Sequence, residues 1–339
     1  MRTALTILGI MGLVVACAQA ESYITPDEVP EDSPVWLQGE YLGTVDEEHI
    51  SAAQVVDWGD GSYELILYEG GLPGEGWDPD FEKVRGIRGE RDNGSVTFTH
   101  EDASAEVSLE GTLTVRGADG EVLGVLERTI RQGPTLGMEA PEEATVLFDG
   151  TDLDMWREGA EMTEDGLLTQ GARTAEDYGD MFMHLEYMLP YWEPDDDQPN
   201  SGIYIQNRYE VQILGSFGRE LANNLDGSLY REKAPEFLAT LPPLQWQTYD
   251  ILFRAPRFDE DGNKTENVRI SVFQNGALIH DDVELDGGTG AGGDREPPEV
   301  EAAHTLFQDH GTEVRFRNVW VVEDAQEWPE PVTDALDIE

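Results

Sequence analysis

The 339-residue sequence has little cysteine, little lysine and no long helical pattern. Cys17 is its single cysteine, so an exported form lacking the first 20 residues has no disulfide, no thiol nucleophile and no cysteine-based metal site. Apolar residues at helical spacing do not persist for more than about two turns, and residues 217–223 are the best candidate for a helix. This lack of helical periodicity predicts a fold built mainly from β-strands.

Positive charge is also scarce. Only 21 Lys and Arg side chains stand against 71 Asp and Glu, which gives a net charge of −50 at pH 7. Such a surface repels phosphate backbones and anionic lipid headgroups, so nucleic acid is excluded as a partner. Only three of the basic residues are lysine, and an acidic, lysine-poor surface predicts adaptation to concentrated salt, which screens self-repulsion.

Signatures of nucleotide binding and serine hydrolysis are missing as well. Residues 288–293 have the spacing G-x-G-x-x-G, but Pro297 and Pro298 follow shortly, so no helix can begin there to bind a diphosphate. The sequence contains neither a Walker A motif nor a G-x-S-x-G elbow. We therefore expect no nucleotide cofactor, and NTPase and serine hydrolase functions are excluded.

The N-terminus has the pattern of an export signal. A positive charge precedes an apolar run over residues 4–16, which is too short to cross a bilayer. An A-x-A sequence at 18–20 fits a signal peptide spanning 1–20, whereas residues 14–17 fit a lipoprotein box in which Cys17 would carry the lipid. Both alternatives predict a periplasmic or extracellular protein, and only the second predicts a membrane anchor.

The remaining chain divides into two β-rich blocks. Strand-like runs separated by glycine-containing turns predict a small all-β domain over residues 35–133. The proline-containing stretch 134–144 is typical of a linker. A larger β-rich domain is expected over 145–323, with an acidic tail over 324–339. The strands expected in the first domain are 35–42, 51–58, 62–68, 95–100, 105–115 and 122–130.

Alternation in the second block predicts strands with one apolar face and one polar face. His184 and Glu186 share a face of one such strand. In the next two strands, a three-residue hairpin turn would keep the apolar positions together and place Tyr204, Glu210 and Gln212 on the opposite face.

Strict alternation near the C-terminus would put Arg315 and Arg317 on one face of a strand and Phe316, Asn318 and Trp320 on the other. Trp320 would then be buried inside the domain. A sheet with one apolar face and one face of Tyr, Glu, Gln and Arg suits a sandwich whose concave side binds a polar ligand such as a sugar.

Seven short motifs occur in order within the second block. They are VLFDG at 146–150, NSGIY at 200–204, RYEVQIL at 208–214, WQTYD at 246–250, QNG at 274–276, QDHG at 308–311 and RFRNVW at 315–320. With these motifs, about residues 145–323 resemble the 3-keto-disaccharide hydrolase domain family. The N-terminal block is similar to one that precedes this domain in some bacterial members.

The resemblance implies a concanavalin-like jelly roll of two antiparallel sheets, with a carbohydrate site on the concave face. Three positions depart from the family pattern: Gly215, Asp226 and Thr312 replace an aspartate, a cysteine and an asparagine. If the carboxylate replaced by Gly215 were catalytic or a metal ligand in the family, activity in this chain would be in doubt.

The resemblance also implies cleavage of glycosides whose sugar is oxidised at C3. The ketone makes the C2 proton acidic, so a base can remove it while donors or a metal stabilise the enolate. The C1 substituent then leaves by elimination, and water adds back. Such a site needs a base, a proton donor for the departing oxygen and a cationic or metal electrophile.

The candidates for these roles come from the polar faces. The catalytic candidates are Glu210 or Glu186 as the base and His310 or His184 as the proton donor or metal ligand. The candidates for substrate contacts are Tyr204, Gln212, Arg315, Arg317, Gln308 and Trp246. Trp156, Trp192 and Trp320 are further tryptophans that could stack on a sugar.

Several alternatives remain open. Glu210 could instead form a structural salt bridge with Arg208 or Arg317. A divalent metal, either calcium or a transition metal, would suit the electrophile's role, and the acidic loop 195–197 could bind calcium or be a solvated loop. The whole domain could also be a non-catalytic carbohydrate-binding module or an ordinary glycoside hydrolase with two carboxylates. The sugar, the linkage and the oligomeric state are not predicted.

Overall fold

The computed structural model describes residues 22–45, 49–59, 61–192, 198–289 and 298–338. It confirms the predicted fold class, because the protein is nearly all β, with a jelly-roll sandwich that follows an N-terminal β block. The predicted export signal, Cys17 and the acidic loop 195–197 lie outside the described residues.

The strands of the described part are numbered in chain order. The first eleven are β1 Ser22–Tyr23, β2 Gly39–Val45, β3 His49–Asp57, β4 Ser62–Glu69, β5 Leu72–Pro73, β6 Gly76–Trp77, β7 Lys83–Asp92, β8 Ser95–His100, β9 Ala103–Ser108, β10 Thr112–Arg116 and β11 Val122–Thr129. The remainder are β12 Thr145–Phe148, β13 Met181–Met188, β14 Tyr191–Trp192, β15 Asn200–Ile205, β16 Tyr209–Leu214, β17 Trp246–Arg254, β18 Arg257–Phe258, β19 Lys264–Glu266, β20 Val268–Gln274, β21 Ala277–Leu285, β22 Leu306–Phe307 and β23 Arg315–Glu323.

The N-terminal block is a closed antiparallel barrel in the order β10-β11-β2-β3-β4-β7-β8-β9. Sequence analysis missed β7, because charged residues occupy most of its positions and leave little apolar alternation to detect. The single strand expected over 105–115 is divided by a tight turn at Gly111, whose φ of 85° suits glycine. Residues Pro34–Leu37 form a 3-10 helix rather than the start of a strand.

The second block is a sandwich of two antiparallel sheets. One sheet has six strands in the order β12-β23-β13-β17-β20-β21, and the other has three in the order β16-β15-β22. Alternate residues of both sheets form one apolar core, which includes Leu185 and Tyr249 from the large sheet and Ile203 and Val211 from the small one. The other face of each sheet points away from this core, so the domain has two separate outer faces.

A β-bulge changes the alternation expected in β23. Asn318 has a φ of 46°, and the pairing with β13 shifts between His184 and Glu186. The extra residue returns Val319 to the core and turns Trp320 outward. The prediction that Trp320 is buried inside the sandwich is therefore wrong: it is buried on the outer face of the large sheet.

The C-terminal residues cover part of that outer face. The expected tail contains a helix, α1 Glu330–Leu336, whose Val332 is buried in an apolar cluster with Trp320 and Trp328. The helix suggested at 217–223 does not form. Within the described ranges, no helix has the length and apolar character needed to span a bilayer.

Candidate functional site

A hairpin in the small sheet places the polar residues of β15 and β16 side by side. Ile205 pairs with Tyr209 across a three-residue turn, as predicted, so apolar positions of both strands point into the core. Tyr204 lies opposite Glu210 on the outer face, one row from Gln212. Cross-strand neighbours are about 5 Å apart, so their polar ends can act on one ligand.

Gly202 gives the Glu210 carboxylate its position. Gly202 lies opposite Gln212 and has no side chain to occupy the face. A β-carbon built at Gly202 would lie 2.4 Å from Oε1 of Glu210. The carboxylate therefore occupies the space that any other residue at this position would fill.

The surroundings of Glu210 disfavour its charge. The residue is only 2% exposed. Burial raises its pKa from 4.5 to about 7, although a hydrogen bond from Tyr204 and the positive charge of Arg231 act in the opposite direction. A carboxyl group with a pKa near neutrality is suited to accept and return a proton.

Several oxygens on this face have no hydrogen-bond partner among the described residues, although they are buried. These are Glu210 Oε2, Gln212 Oε1, Gln308 Oε1 and Asn200 Oδ1. Buried polar atoms are almost always paired in native proteins, so a group of unpaired acceptors on one face indicates a place for a ligand or water with hydrogen-bond donors. Sugar hydroxyls are such donors.

A loop adds a cation to one side of the face. Its residue Leu229 forms a bridge to Val211, and the main-chain N–H of Tyr230 donates to the carbonyl of Glu210 at 3.2 Å. Arg231 follows immediately and is the cation that acts on Glu210. Sequence analysis missed Arg231 because the loop has no strand periodicity and lies outside the seven motifs.

The loop is anchored beneath the face by Asp226. This fully buried carboxylate accepts hydrogen bonds from the hydroxyls of Tyr187, Tyr249 and Thr240 and from the N–H of Leu214. Burial still raises its pKa to about 6. Asp226, noted above as a departure from the family pattern, is thus a structural anchor of the loop that carries Arg231.

On the other side, the segment after β22 carries two predicted residues. The main-chain N–H of Gln308 donates to the carbonyl of Gly202 at 2.9 Å, which places Gln308 beside Tyr204. Thr312 fixes the far end of this segment through hydrogen bonds to the main chain of Asn200. His310 lies between these two anchors and is exposed at the border of the face.

The other predicted acid and imidazole lie on the outer face of the large sheet, away from Glu210. His184 and Glu186 are completely buried there. Nδ1 of His184 is 2.7 Å from Oδ1 of Asp250, and the ring stacks on Trp320. The N–H of Gly137, in the predicted linker, donates to Glu186 at 2.6 Å, so the linker covers this cluster.

The carboxylate of Glu186 and the imidazole of His184 both have close polar partners. Burial would lower the pKa of His184, but Asp250 and Glu186 outweigh it and raise the pKa to about 9. Burial would raise the pKa of Glu186, but the nearby His184, 3.8 Å away, and hydrogen bonds from Asn318, Arg317 and Gly137 hold it at about 2. The imidazolium of His184 and the carboxylate of Glu186 stabilise the contact between the linker and the large sheet. Because both keep their charge near neutrality, they have little tendency to exchange protons there.

The outer face that holds this cluster also holds three further candidates: Arg317, Trp246 and Arg315. Arg317 donates to Glu186 at 2.6 Å, and its guanidinium lies 4.0 Å from the ring centre of Trp246. Arg315 is an outward neighbour on β23 and pairs with Glu313. Trp156, by contrast, is buried beside Phe307 in the core between the two sheets.

The structure therefore brings together Tyr204, Glu210, Gln212 and Gln308, with His310 at their border. It does not bring His184, Glu186, Arg315, Arg317 or Trp246 to them. Arg317 donates to Glu186 on the other outer face, so the alternative of a salt bridge between Arg317 and Glu210 is not observed in the described part of the chain. Among the same residues, no three His, Cys, Asp or Glu side chains are placed to share a metal ion.

The fold and the site define a β-sandwich protein with one outer face suited to a polar ligand that carries hydrogen-bond donors. More specifically, residues 143–322, over half of the chain, match the family described as the 3-keto-alpha-glucoside-1,2-lyase-like domain. The chain belongs to this family, which confirms the resemblance and supports a glycoside-hydrolase type of function on a carbohydrate.

Solved structures provide further similarities. A candidate glycosyl hydrolase from Parabacteroides distasonis is 31% identical, with coverage of 54% of this chain and 85% of that one and a TM-score of 0.48. A second from the same organism is 18% identical, with coverage of 56% and 99% and a TM-score of 0.41. No curated protein matches the chain.

Proposed function

We propose that this protein cleaves 3-keto-glycosides by removing the C2 proton, with Glu210 as the base. The observation that carries the proposal is the buried carboxyl of Glu210, whose pKa is about 7 and whose Oε2 has no partner in the described ranges. Family membership supports the substrate class. A base that ionises near neutrality matches the demand of abstracting a proton next to a ketone.

The proposed reaction removes one proton from C2, supplies one to the departing oxygen and releases one leaving group. Glu210 takes the C2 proton, and the C2–H electron pair forms an enolate with the C3 ketone. The enolate then expels the C1 oxygen, which leaves an unsaturated ketone, and a proton donor returns a proton to the departing alcohol. Addition of water across C1 and C2 completes the hydrolysis.

The neighbouring residues have separate roles in this proposal. Arg231, whose charge acts on Glu210, provides positive charge for the enolate oxygen. Tyr204 donates to Glu210, and Gln212 and Gln308 contact sugar hydroxyls. His310 at the border is the proposed proton donor to the leaving alcohol. Because the described residues near Glu210 do not themselves form a metal site, no step is assigned to a metal.

The test follows the C2 proton directly. The purified protein is incubated with a 3-keto-glucoside or 3-keto-trehalose, and with the unoxidised sugar, with and without chelator in high salt. We expect the glycosidic bond to be cleaved in the 3-keto sugar and not in the unoxidised sugar. We also expect a slower rate when C2 of the 3-keto sugar carries deuterium. Glu210→Gln should lose about 10²-fold to 10⁴-fold in kcat/KM, whereas the exposed control Glu232→Gln should keep it.

Other outcomes would contradict the proposal. Equal turnover of the unoxidised sugar would indicate ordinary glycosidase chemistry. Binding of both sugars without turnover would indicate a carbohydrate-binding module. Loss of activity on chelation would show that a divalent metal supplies the electrophile in place of Arg231.

We further propose export and adaptation to salt. Both rest on the sequence: the N-terminal pattern and the net charge of −50. Mass spectrometry of the mature chain distinguishes a free N-terminus at Glu21 from a lipid on Cys17. Full folding and activity without added salt would contradict the adaptation.

A further inference from the structure

The glycine-rich motif at 288–293 begins shortly after β21 and brings one of its residues, Thr289, to the edge of the small sheet. The segment before it is held by Lys264, whose Nζ donates to the carbonyl of Asp286 at 2.6 Å. The N–H of Thr289 donates to the carbonyl of Arg208 at 3.2 Å. Thr289 is therefore fixed beside the start of β16, and it is only 1% exposed.

The main chain of Glu210 needs partners outside the sheet. In the described part of the chain, β16 is the outermost strand of the small sheet and pairs only with β15. Alternate residues of such a strand turn their N–H and C=O groups away from the sheet. At Glu210, the N–H donates to Oγ1 of Thr289 at 2.5 Å, and the carbonyl accepts from the N–H of Tyr230 at 3.2 Å. A side-chain hydroxyl thus takes the place of the carbonyl that a further strand would supply.

The hydroxyl of Thr289 has no equivalent in a side chain of the same shape without oxygen. It accepts from Glu210 and lies 3.5 Å from the carbonyl oxygen of Arg208, to which it donates. A valine would leave the N–H of Glu210 buried without an acceptor, which is costly. The edge of β16 would then move outward until water reaches this N–H. Such a shift would carry the Glu210 carboxylate out of the space that it occupies over Gly202.

We infer that Thr289 is a positioning residue, which holds the main chain of Glu210 so that the carboxylate stays where it removes the C2 proton. The inference rests on the proposed function, because Glu210 is taken to be the base. Reacting groups tolerate little misplacement, so a shift of the base lowers the rate of the chemical step. The main chain of Gln212 is held by Gly227 and Ser228 instead, so its contact with the sugar does not depend on Thr289.

The kinetic test compares Thr289→Val with Thr289→Ser, which keeps the hydroxyl, on a 3-keto-disaccharide. We expect Thr289→Val to lower kcat by roughly tenfold to 10²-fold, with KM within about twofold of the wild-type value, and Thr289→Ser to restore most of kcat. Thr305→Val is the matched control. Thr305 is also fully buried in the sandwich, but its hydroxyl has no hydrogen-bond partner among the described residues, so both constants should stay at the wild-type values.

A second measurement follows the Glu210 carboxyl without turnover. The protein is labelled with ¹³C at the side-chain carboxyl of glutamate, and the Glu210 signal is identified by its loss in Glu210→Gln. Burial holds the pKa of Glu210 at about 7, against the effects of Tyr204 and Arg231. A carboxyl displaced toward water should have a pKa closer to 4.5 in Thr289→Val and the wild-type pKa in Thr289→Ser. Where Thr289→Val does not fold, Thr289→Ala also lacks the hydroxyl and takes its place.

The two hypotheses fail in different ways. If the wild-type protein cleaved no 3-keto sugar, the proposed function would be wrong, and the NMR titration would still decide whether Thr289 positions the carboxyl. If Thr289→Val kept both the kcat and the pKa of Glu210, the positioning role would be wrong. The same conclusion would follow if Thr289→Ser or Thr305→Val lost as much as Thr289→Val.

Discussion

Glu210→Gln should make the protein more stable at neutral pH while lowering its kcat/KM by about 10²-fold to 10⁴-fold. In the folded protein, the pKa of Glu210 is raised from 4.5 to about 7, chiefly by burial. At about 1.36 kcal/mol per pKa unit, ionisation of this one group opposes folding by about 3 kcal/mol. Glutamine keeps the shape of the side chain and has no charge to bury.

The direction of the pH dependence follows from the raised pKa. Between pH 4.5 and 7 the folded protein binds more protons at Glu210 than the unfolded chain does, so the free energy of unfolding falls as the pH rises. Below this window both forms are protonated and the penalty is absent. Above it the penalty is complete. The advantage of Glu210→Gln should therefore grow by about 3 kcal/mol between pH 4 and pH 8.

Urea unfolding of both proteins at several pH values and constant high salt measures this difference. All other titrating groups are common to the two proteins, so their contributions cancel. The control variant Glu232→Gln removes a carboxylate that is exposed to solvent in the loop that carries Arg231. Parallel curves for Glu210→Gln and wild type would show that the Glu210 carboxylate has a compensating partner, and its assignment as a base would lose its physical support.

Two other substitutions test the two outer faces. Gly202→Ala should displace the Glu210 carboxylate, and kcat/KM on a 3-keto-glycoside should fall by roughly 10²-fold because reacting groups tolerate little misplacement. The control Gly287→Ala has open space around the added methyl group and should keep wild-type activity. Glu186→Gln should leave the charges of His184 and Arg317 poorly compensated and lower the free energy of unfolding by roughly 3 kcal/mol. The kcat/KM of the folded protein should not change. A loss of turnover without a loss of stability would indicate that Glu186 is the catalytic base.

Much of the fold could be predicted because alternation reports directly on local structure. The three-residue hairpin turn before Tyr209 follows from the need to keep Ile203 and Val211 on one face. Where alternation is weak or interrupted, the prediction failed. Strand β7 is mostly charged, and the bulge at Asn318 reverses the face to which each later side chain of β23 points. A bulge depends on cross-strand pairing, which one sequence does not reveal.

The composition of the site was harder to predict for a geometric reason. Alternation assigns a side chain to one face of its own strand, but it does not say which sheet that strand joins. Alternation therefore does not distinguish Glu186 from Glu210, although they lie on opposite outer faces of the domain. Arg231 lies on an irregular loop held by Asp226, and no periodic pattern connects that loop to β16.

Hydrogen-bond pairing is what distinguishes the two carboxylates. Glu186 and Glu210 are about equally buried, yet the pKa of the first is about 2 and that of the second about 7. Strong donors surround Glu186, including one from the linker that covers it, so its charge stabilises the fold. Glu210 keeps an oxygen without a partner in the described ranges, beside other unpaired acceptors, at a cost in folding free energy. Such a cost is understandable where a substrate supplies the absent donors, so unpaired acceptors are a better guide to the site than the carboxylates themselves.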